Sequence, residues 1–269
     1  MLKATDVWFG YDDRKPVLRG VSLAVPDDGI LGILGPNGSG KTTLLRMLAG
    51  TRQPQRCSVT LGDVALSSLS RGALARRMAV VPQETQLAFD YSVGEVAMMG
   101  RYPHLGPFEI EGPADLAVID ETLASTGTVH LKDRLFSTLS GGEKQRVVIA
   151  AALAQIFSPA GSGYLLLDEP TASLDLGYQL EVAALLRRLH RQRRVAVVIS
   201  THDLGLAGTL CDRLMLIRDG VVVASGATDE VLTPFNVREV YGVDVDVIAH
   251  PSGYRMVVPV GHADGRDTE

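Results

Sequence analysis

The residues whose types and spacing are best suited to chemistry are Gly35, Pro36, Asn37, Gly38, Ser39, Gly40, Lys41 and Thr42. They fill every fixed position of the phosphate-binding loop pattern. Glycines let the backbone curl so that successive N–H groups face phosphate oxygens, and the helix that follows adds the partial positive charge of its N-terminus. Lys41 is the right length to reach β- and γ-phosphates, Thr42 can offer its hydroxyl to Mg²⁺, and Thr43 stands beside it. The apolar run Ile30–Leu34 precedes the loop and the helix-forming run Leu44–Ala49 follows it, the strand–loop–helix context the pattern needs. The loop predicts a nucleoside triphosphate site.

Two further clusters extend that chemistry. Leu165–Leu167 followed by Asp168 and Glu169 places two carboxylates at the end of a buried strand, where ligands of α/β sheets collect. Asp168 is suited to hold Mg²⁺, directly or through a water, and Glu169 to orient or deprotonate a water attacking the γ-phosphate. In Leu139–Arg146, Ser140, Gly141 and Gly142 open a helix and form a second anion site that lacks a lysine.

With that last segment the chain resembles the ATP-binding subunits of ATP-binding-cassette (ABC) transporters, whose signature is matched at Leu139 to Gln145. The resemblance runs from Leu2 to about Val240. It implies the α/β P-loop ABC ATPase fold, with an antiparallel β subdomain and a helical signature subdomain. It implies ATP and Mg²⁺ as ligands, with Thr42, Gln83 and Asp168 as the metal set. Ser140, Gly141 and Gly142 would serve the γ-phosphate of ATP held by the opposite subunit, so the partner is a second copy arranged head to tail. Gln83, in Val81-Pro82-Gln83, matches the glutamine that touches Mg²⁺ or the attacking water and relays its state to the transporter. Ser173-Leu174-Asp175 matches the loop that crosses the dimer interface. His202, after the strand Val195–Ser200, matches the histidine that contacts the γ-phosphate. Tyr11 is the best match to the aromatic that stacks on adenine, with Trp8 and Phe9 assigned to core packing. Glu169, His202 and Gln83 are therefore the expected catalytic residues. Two departures stand out: Ala151 where many relatives have arginine, and a longer Gln155–Tyr164 segment. Neither is expected to touch nucleotide.

The elements that must position these groups follow from pattern. Leu2–Phe9 and Val17–Val25 read as strands, with Pro26-Asp27-Asp28-Gly29 as a turn before the loop strand. Ser58–Leu61 and Val64–Leu66 flank Gly62-Asp63 as a hairpin, and Met78–Val81 is a strand. From about residue 90 to 155 the pattern is helical, with Pro103, Pro107 and Pro113 marking loops. Tyr178–His190 is amphipathic, with Val182, Leu185, Leu186 and Leu189 on one face. Leu214–Ile217 and Val221–Ala224 form another hairpin, and a short β-rich tail covers about 243–269. The expectation is one ABC ATPase domain over 1–269.

Composition narrows the partners. The chain is 46% hydrophobic and 21% charged, ordinary for a globular protein, and its net charge of −5 argues against nucleic acid as a partner. The arginines at 71, 76, 77, 187, 188, 191, 193 and 194 read as solvated helix faces. Cys57 and Cys211 form no metal-ligand pattern and read as two reduced thiols. Val147–Leu167 carries no charge and is long enough to suggest a membrane span, but Gln155, Ser158-Pro159 and Gly161-Ser162-Gly163 would break it. Membrane contact is expected through a partner only.

The segment after Gln83, Glu84–Val93 and then Met99-Gly100-Arg101-Tyr102-Pro103-His104, is similar to ATPases serving importers of haem, ferric siderophores and cobalamin. The longer loop before Tyr164 makes haem the first expectation, with siderophore and cobalamin as alternatives and a soluble non-transport ABC ATPase as the reading from another class. The resemblance implies two copies of a membrane permease, a periplasmic substrate-binding protein contacted indirectly, and a peripheral place on the cytoplasmic face of the bacterial inner membrane. Leu87, Phe89, Met98 and Met99 suit either an apolar groove for a permease helix or the insert's own core.

Overall fold

Alternating apolar residues make the N-terminal segment a strand, and a bulge changes which parity faces inward. Leu2 and Ala4 are buried, then Val7 and Phe9. The pairing with Lys15–Val25 slips between Ala4 and Val7, where Asp6 takes φ 45°. One extra residue in an antiparallel strand moves every later side chain to the other face, which is the observed change of parity. The computed structural model describes residues 1–12, 15–27, 29–157, 163–172, 174–193 and 195–262. The chain divides into two compact units, Met1–Ser67 with Val198–Glu269, and Ser68–Val197.

In the first unit, Leu2–Asp12 pairs antiparallel on one side with Lys15–Val25 and on the other with Arg56–Leu61, which continues to Val64–Ala65. A second set of strands runs in the order Val221–Ala227, Arg213–Arg218, Ile30–Leu34, Ala196–Thr201. Ile30–Leu34 is wholly buried and parallel to Arg213–Arg218, with Leu31 opposite Arg213. A strand covered on both faces has to be apolar throughout, as this one is. Pro234–Tyr241 is a helix with local signals at both ends: the Thr233 hydroxyl accepts from Asn236 N–H, and Gly242 closes it in the left-handed conformation. The hairpin Val243–Ala249 with Arg255–His262 follows, with Val247 opposite Val257.

The second unit holds the parallel pair Met78–Val81 and Tyr164–Asp168 together with the helices Val93–Met99, Pro113–Ser125, Gly141–Ile156 and Leu176–Arg193. Val93–Met99, Pro113–Ser125 and Gly141–Ile156 share a core that includes Val93, Met98, Leu123, Phe136, Val147 and Ala150. Leu87 packs against this core and Met98 lies in it, so these two belong to the insert's interior, whereas Phe89 is 73% exposed. Trp8 is likewise not a core residue: it is half-buried beneath the Arg56 guanidinium, its indole N–H donating to Asp6. The uncharged run from Val147 resolves into the end of a helix and a buried strand. Among the described residues no helix is long and apolar enough to cross a membrane. Cys57 is exposed and Cys211 buried, both as thiols. Asp28, residues 158–162, Ser173 and Arg194 lie outside the described residues.

The segment Gly100 to His104 seals the C-terminus of Gly141–Ile156. A Cβ on Gly100 would stand 2.1 Å from the Ala151 carbonyl oxygen, so only glycine lets the two backbones approach this closely. Arg101, 9% exposed, donates to the Ala154 carbonyl at 2.8 Å and to the Asp115 carboxylate at 2.9 Å. His104 Nε2–H donates to the Gln155 carbonyl at 2.8 Å. Cationic and N–H donors here satisfy carbonyls that the helix itself cannot.

Candidate functional site

In the first unit the loop Gly35–Gly40 joins the buried strand Ile30–Leu34 to the helix Lys41–Leu48. A Cβ on Gly35 would lie 2.1 Å from the Ile217 carbonyl oxygen, and one on Gly40 2.7 Å from Leu18. Packing therefore demands both glycines independently of any ligand. Ser39 N–H donates to the Pro36 carbonyl at 3.2 Å, closing the curl. Lys41 is 5% exposed, and its Nζ donates to the Gly35 carbonyl at 2.8 Å and the Pro36 carbonyl at 3.2 Å. The ammonium thus sits inside the loop. Ser39 Oγ is buried and has no hydrogen-bond partner among the described residues, an uncommon condition that an oxygen-rich ligand would relieve. Thr42 is half-buried and Thr43 buried, while Pro36, Asn37 and Gly38 form the more open side of the loop.

Tyr11 stands 58% exposed and packs perpendicular to Phe9 at 5.0 Å between ring centroids. Its hydroxyl meets Thr43 Oγ1 at 3.4 Å, and Arg46 approaches it at 3.5 Å. The Thr43 hydrogen bond, aided by the Arg46 guanidinium, lowers the phenol pKa against the opposing effect of burial. The peptide before Tyr11 is held as well: Gly10 N–H donates to Gln55 Oε1 at 2.9 Å, and Gln55 Nε2 donates to the Gly10 carbonyl at 3.2 Å. His202 is exposed immediately after Ala196–Thr201. Both neighbours are fixed, since Asp203 N–H donates to Thr201 Oγ1 at 3.0 Å and the Asp203 carboxylate caps Leu204–Leu210.

In the second unit, Val81 and Leu167 are opposite one another in parallel strands. Gln83 and Glu169 thus leave the same end of that pair. Glu169 takes φ 47°, an uncommon conformation for a residue with a side chain and a form of strain that collects at functional sites. A cleft of about 260 Å³ has Gln83, Gly141, Lys144, Gln145, Glu169 and Pro170 among its lining residues. Segments distant in sequence therefore converge on one depression. Gln145 Nε2 is buried and has no hydrogen-bond partner among the described residues. Asp168 and Glu169 are half-buried.

Ser140 caps Gly141–Ile156 through a reciprocal pair: its hydroxyl accepts from Glu143 N–H at 3.3 Å, and the Glu143 carboxylate accepts from Ser140 N–H at 2.8 Å. That backbone hydrogen bond holds the Glu143 pKa below its ordinary value. Ser140 and Gly141 are exposed, while Gly142 is buried. Asp175 is exposed and accepts from Tyr178 N–H at 3.0 Å at the start of Leu176–Arg193. Gln179 Nε2 donates to the Leu174 carbonyl at 3.1 Å and the Thr171 carbonyl at 3.4 Å. The sequence carries no local signal for Gln55 or Gln179, because each acts through a side-chain amide on a backbone that only the fold brings near.

A family model described as ABC transporter matches residues 18–172. The hemin import ATP-binding protein HmuV of Gloeobacter violaceus is 43% identical over 266 residues, covering 98% of this chain and 95% of that protein. HmuV of Bordetella pertussis is 42% identical over 240 residues, covering 88% and 90%. The cobalamin import ATP-binding protein BtuD of Halobacterium salinarum is 40% identical over 91% of this chain, which spans 60% of that protein. A solved inward-facing ABC transporter, described as of metal-chelate type, is similar with a TM-score of 0.82 at 27% identity, covering 96% of this chain and 97% of that one.

Proposed function

Since the chain belongs to the ABC transporter ATP-binding family, we propose that it is the ATP-hydrolysing subunit of an importer, powering haem uptake across a bacterial inner membrane. The observation that carries the ATPase reading is Lys41, buried with its ammonium inside a loop in which Gly35 and Gly40 cannot be replaced without a clash. The haem reading is supported by the similarity to hemin import proteins across nearly the whole chain. Cobalamin is the alternative, supported by a relative that this chain matches over part of that protein's length. In this reading the subunit is peripheral, forms a homodimer, and contacts two copies of a permease on the cytoplasmic face.

ATP is the substrate. The N–H groups of the loop Gly35–Thr43 receive its phosphates, and Lys41 exchanges the Gly35 and Pro36 carbonyls for phosphate oxygens. Tyr11 stacks on the base while Gln55 and Thr43 hold it in place. Thr42, Gln83 and Asp168 are the proposed ligands of Mg²⁺, an assignment that rests on the order of motifs along the chain. Their hydroxyl, amide and carboxylate oxygens form the hard donor set this cation takes, and it supplies neutralising charge to the phosphates. Glu169 orients the attacking water and accepts its proton, and His202 contacts the γ-phosphate. Ser140, Gly141 and Gly142 present N–H groups and a hydroxyl to ATP on the opposite subunit, with Asp175 at the crossing.

Glu169→Gln tests the catalytic assignment. It removes the base and keeps the shape, so ATP binding should persist while turnover falls about 10²–10⁴-fold. Near-normal hydrolysis by the purified protein would reject Glu169 as the base.

A further inference from the structure

We propose that the first turns of Leu176–Arg193 form a bracket that fixes the signature helix to the segment carrying Glu169, making Tyr178, Gln179 and Glu181 positioning residues for hydrolysis. Three neighbouring side chains reach three different targets. The Tyr178 ring lies against Gly142, where a Cβ would stand 2.3 Å from its Cδ1. The second glycine of the signature is thus required by Tyr178, apart from any phosphate. Gln179 Nε2 donates to the Leu174 and Thr171 carbonyls, on the chain that leads from Glu169 to Asp175. The Glu181 carboxylate pairs with Arg146, whose side chain is 18% exposed and whose Nε is buried without a partner among the described residues. Glu181 thus gives Arg146 an ion-pair partner on the neighbouring helix, and with the Tyr178 and Gln179 contacts it links the signature helix to the segment behind Glu169.

The consequence rests on the head-to-tail dimer proposed above. Ser140–Gly142 would meet ATP on the other subunit, whereas Glu169 acts on ATP in its own. The bracket then ties occupancy of one composite site to the geometry of the base in the other, a coupling that shows itself as cooperative hydrolysis.

Charge reversal tests the idea in full-length protein, with Mg-ATP hydrolysis measured over a range of ATP and mant-ATP as the binding probe. Arg146→Glu and Glu181→Arg should each lower kcat about tenfold and bring the Hill coefficient to about 1, with mant-ATP affinity within about twofold of wild type. The double variant should recover kcat and the Hill coefficient to within about threefold of wild type. A double variant whose loss is the product of the two singles would overturn the bracket. Gln179→Met keeps the volume and removes the donor; it should lower kcat at unchanged mant-ATP affinity, and it decides the matter alone if the charge variants do not fold. Wild-type kcat in folded Gln179→Met would then reject the proposal. Light scattering of Glu169→Gln with ATP separates the two layers: a monomer there would remove the dimer reading and the cross-site role, while restored kcat in the double variant would still uphold the bracket within one subunit.

Discussion

Removing the Lys41 ammonium leaves the Gly35 and Pro36 carbonyls facing each other inside the loop and takes away its side-chain charge. Hydrogen bonds to charged groups contribute about 1.5–3 kcal/mol each, so Lys41→Ala should weaken ATP binding about 10–100-fold for each phosphate hydrogen bond it removes, read by equilibrium titration with mant-ATP. With Tyr11 stacked on the base as proposed, its variants separate base from phosphate recognition. Stacking contributes about 0.5–1.5 kcal/mol, so Tyr11→Ala should weaken ATP about two- to tenfold and leave inorganic triphosphate binding unchanged, whereas Tyr11→Phe should stay close to wild type. Equal weakening of both ligands by Tyr11→Ala would show that the ring instead supports the loop through Thr43. Lys41 was legible in the sequence because its place in the loop pattern depends on neighbours within a few positions, and Tyr11 only through the family resemblance. Gln55, Gln179 and the dependence of Gly142 on Tyr178 were not, since a side-chain amide or a ring contact leaves no mark on local spacing.

Strands and helices followed from period and punctuation wherever one face alone is buried. Parity failed at Asp6, where a bulge reverses the buried face, and Trp8 is only half-buried for that reason. Met98 suited a groove or a core equally well by type; the packing of Val93–Met99 against Gly141–Ile156 puts it in the core. Gly100 was legible only as part of a subgroup pattern, while its physical role is to admit the Ala151 carbonyl. Gly100→Ala should therefore destabilise the protein by about 1–3 kcal/mol through overpacking, seen as a lower Tm with unchanged mant-ATP binding in the folded fraction. His104 makes the same junction sensitive to pH. Burial, reinforced by the Arg101 guanidinium, lowers its pKa below the ordinary 6.5. Folded protein then binds fewer protons here than unfolded protein, so this contribution is full above about pH 6.5 and is lost as pH falls through the lowered value. Asp115, whose pKa Arg101 lowers, loses its contribution at more acid pH by the same sign. Tm should drop between pH 7 and 5, and His104→Gln should flatten that part of the profile.

For the whole molecule, hydrolysis has to be useful to a permease. Phe89, 73% exposed and edge-on to Tyr91, follows the glutamine loop and belongs to no phosphate site. If the permease docks there, Phe89→Asp should leave ATPase activity of the isolated subunit intact while uptake by the assembled transporter falls, because an unpaired carboxylate in an apolar interface costs several kcal/mol. Normal uptake by the folded variant would move the docking surface elsewhere. The most direct test of the central claim is ATP-driven haem accumulation in vesicles holding this subunit, its permease and the binding protein. Haem uptake should need ATP and disappear with Glu169→Gln. Vesicles that accumulate cobalamin or a ferric siderophore under the same conditions, and leave haem outside, would contradict it.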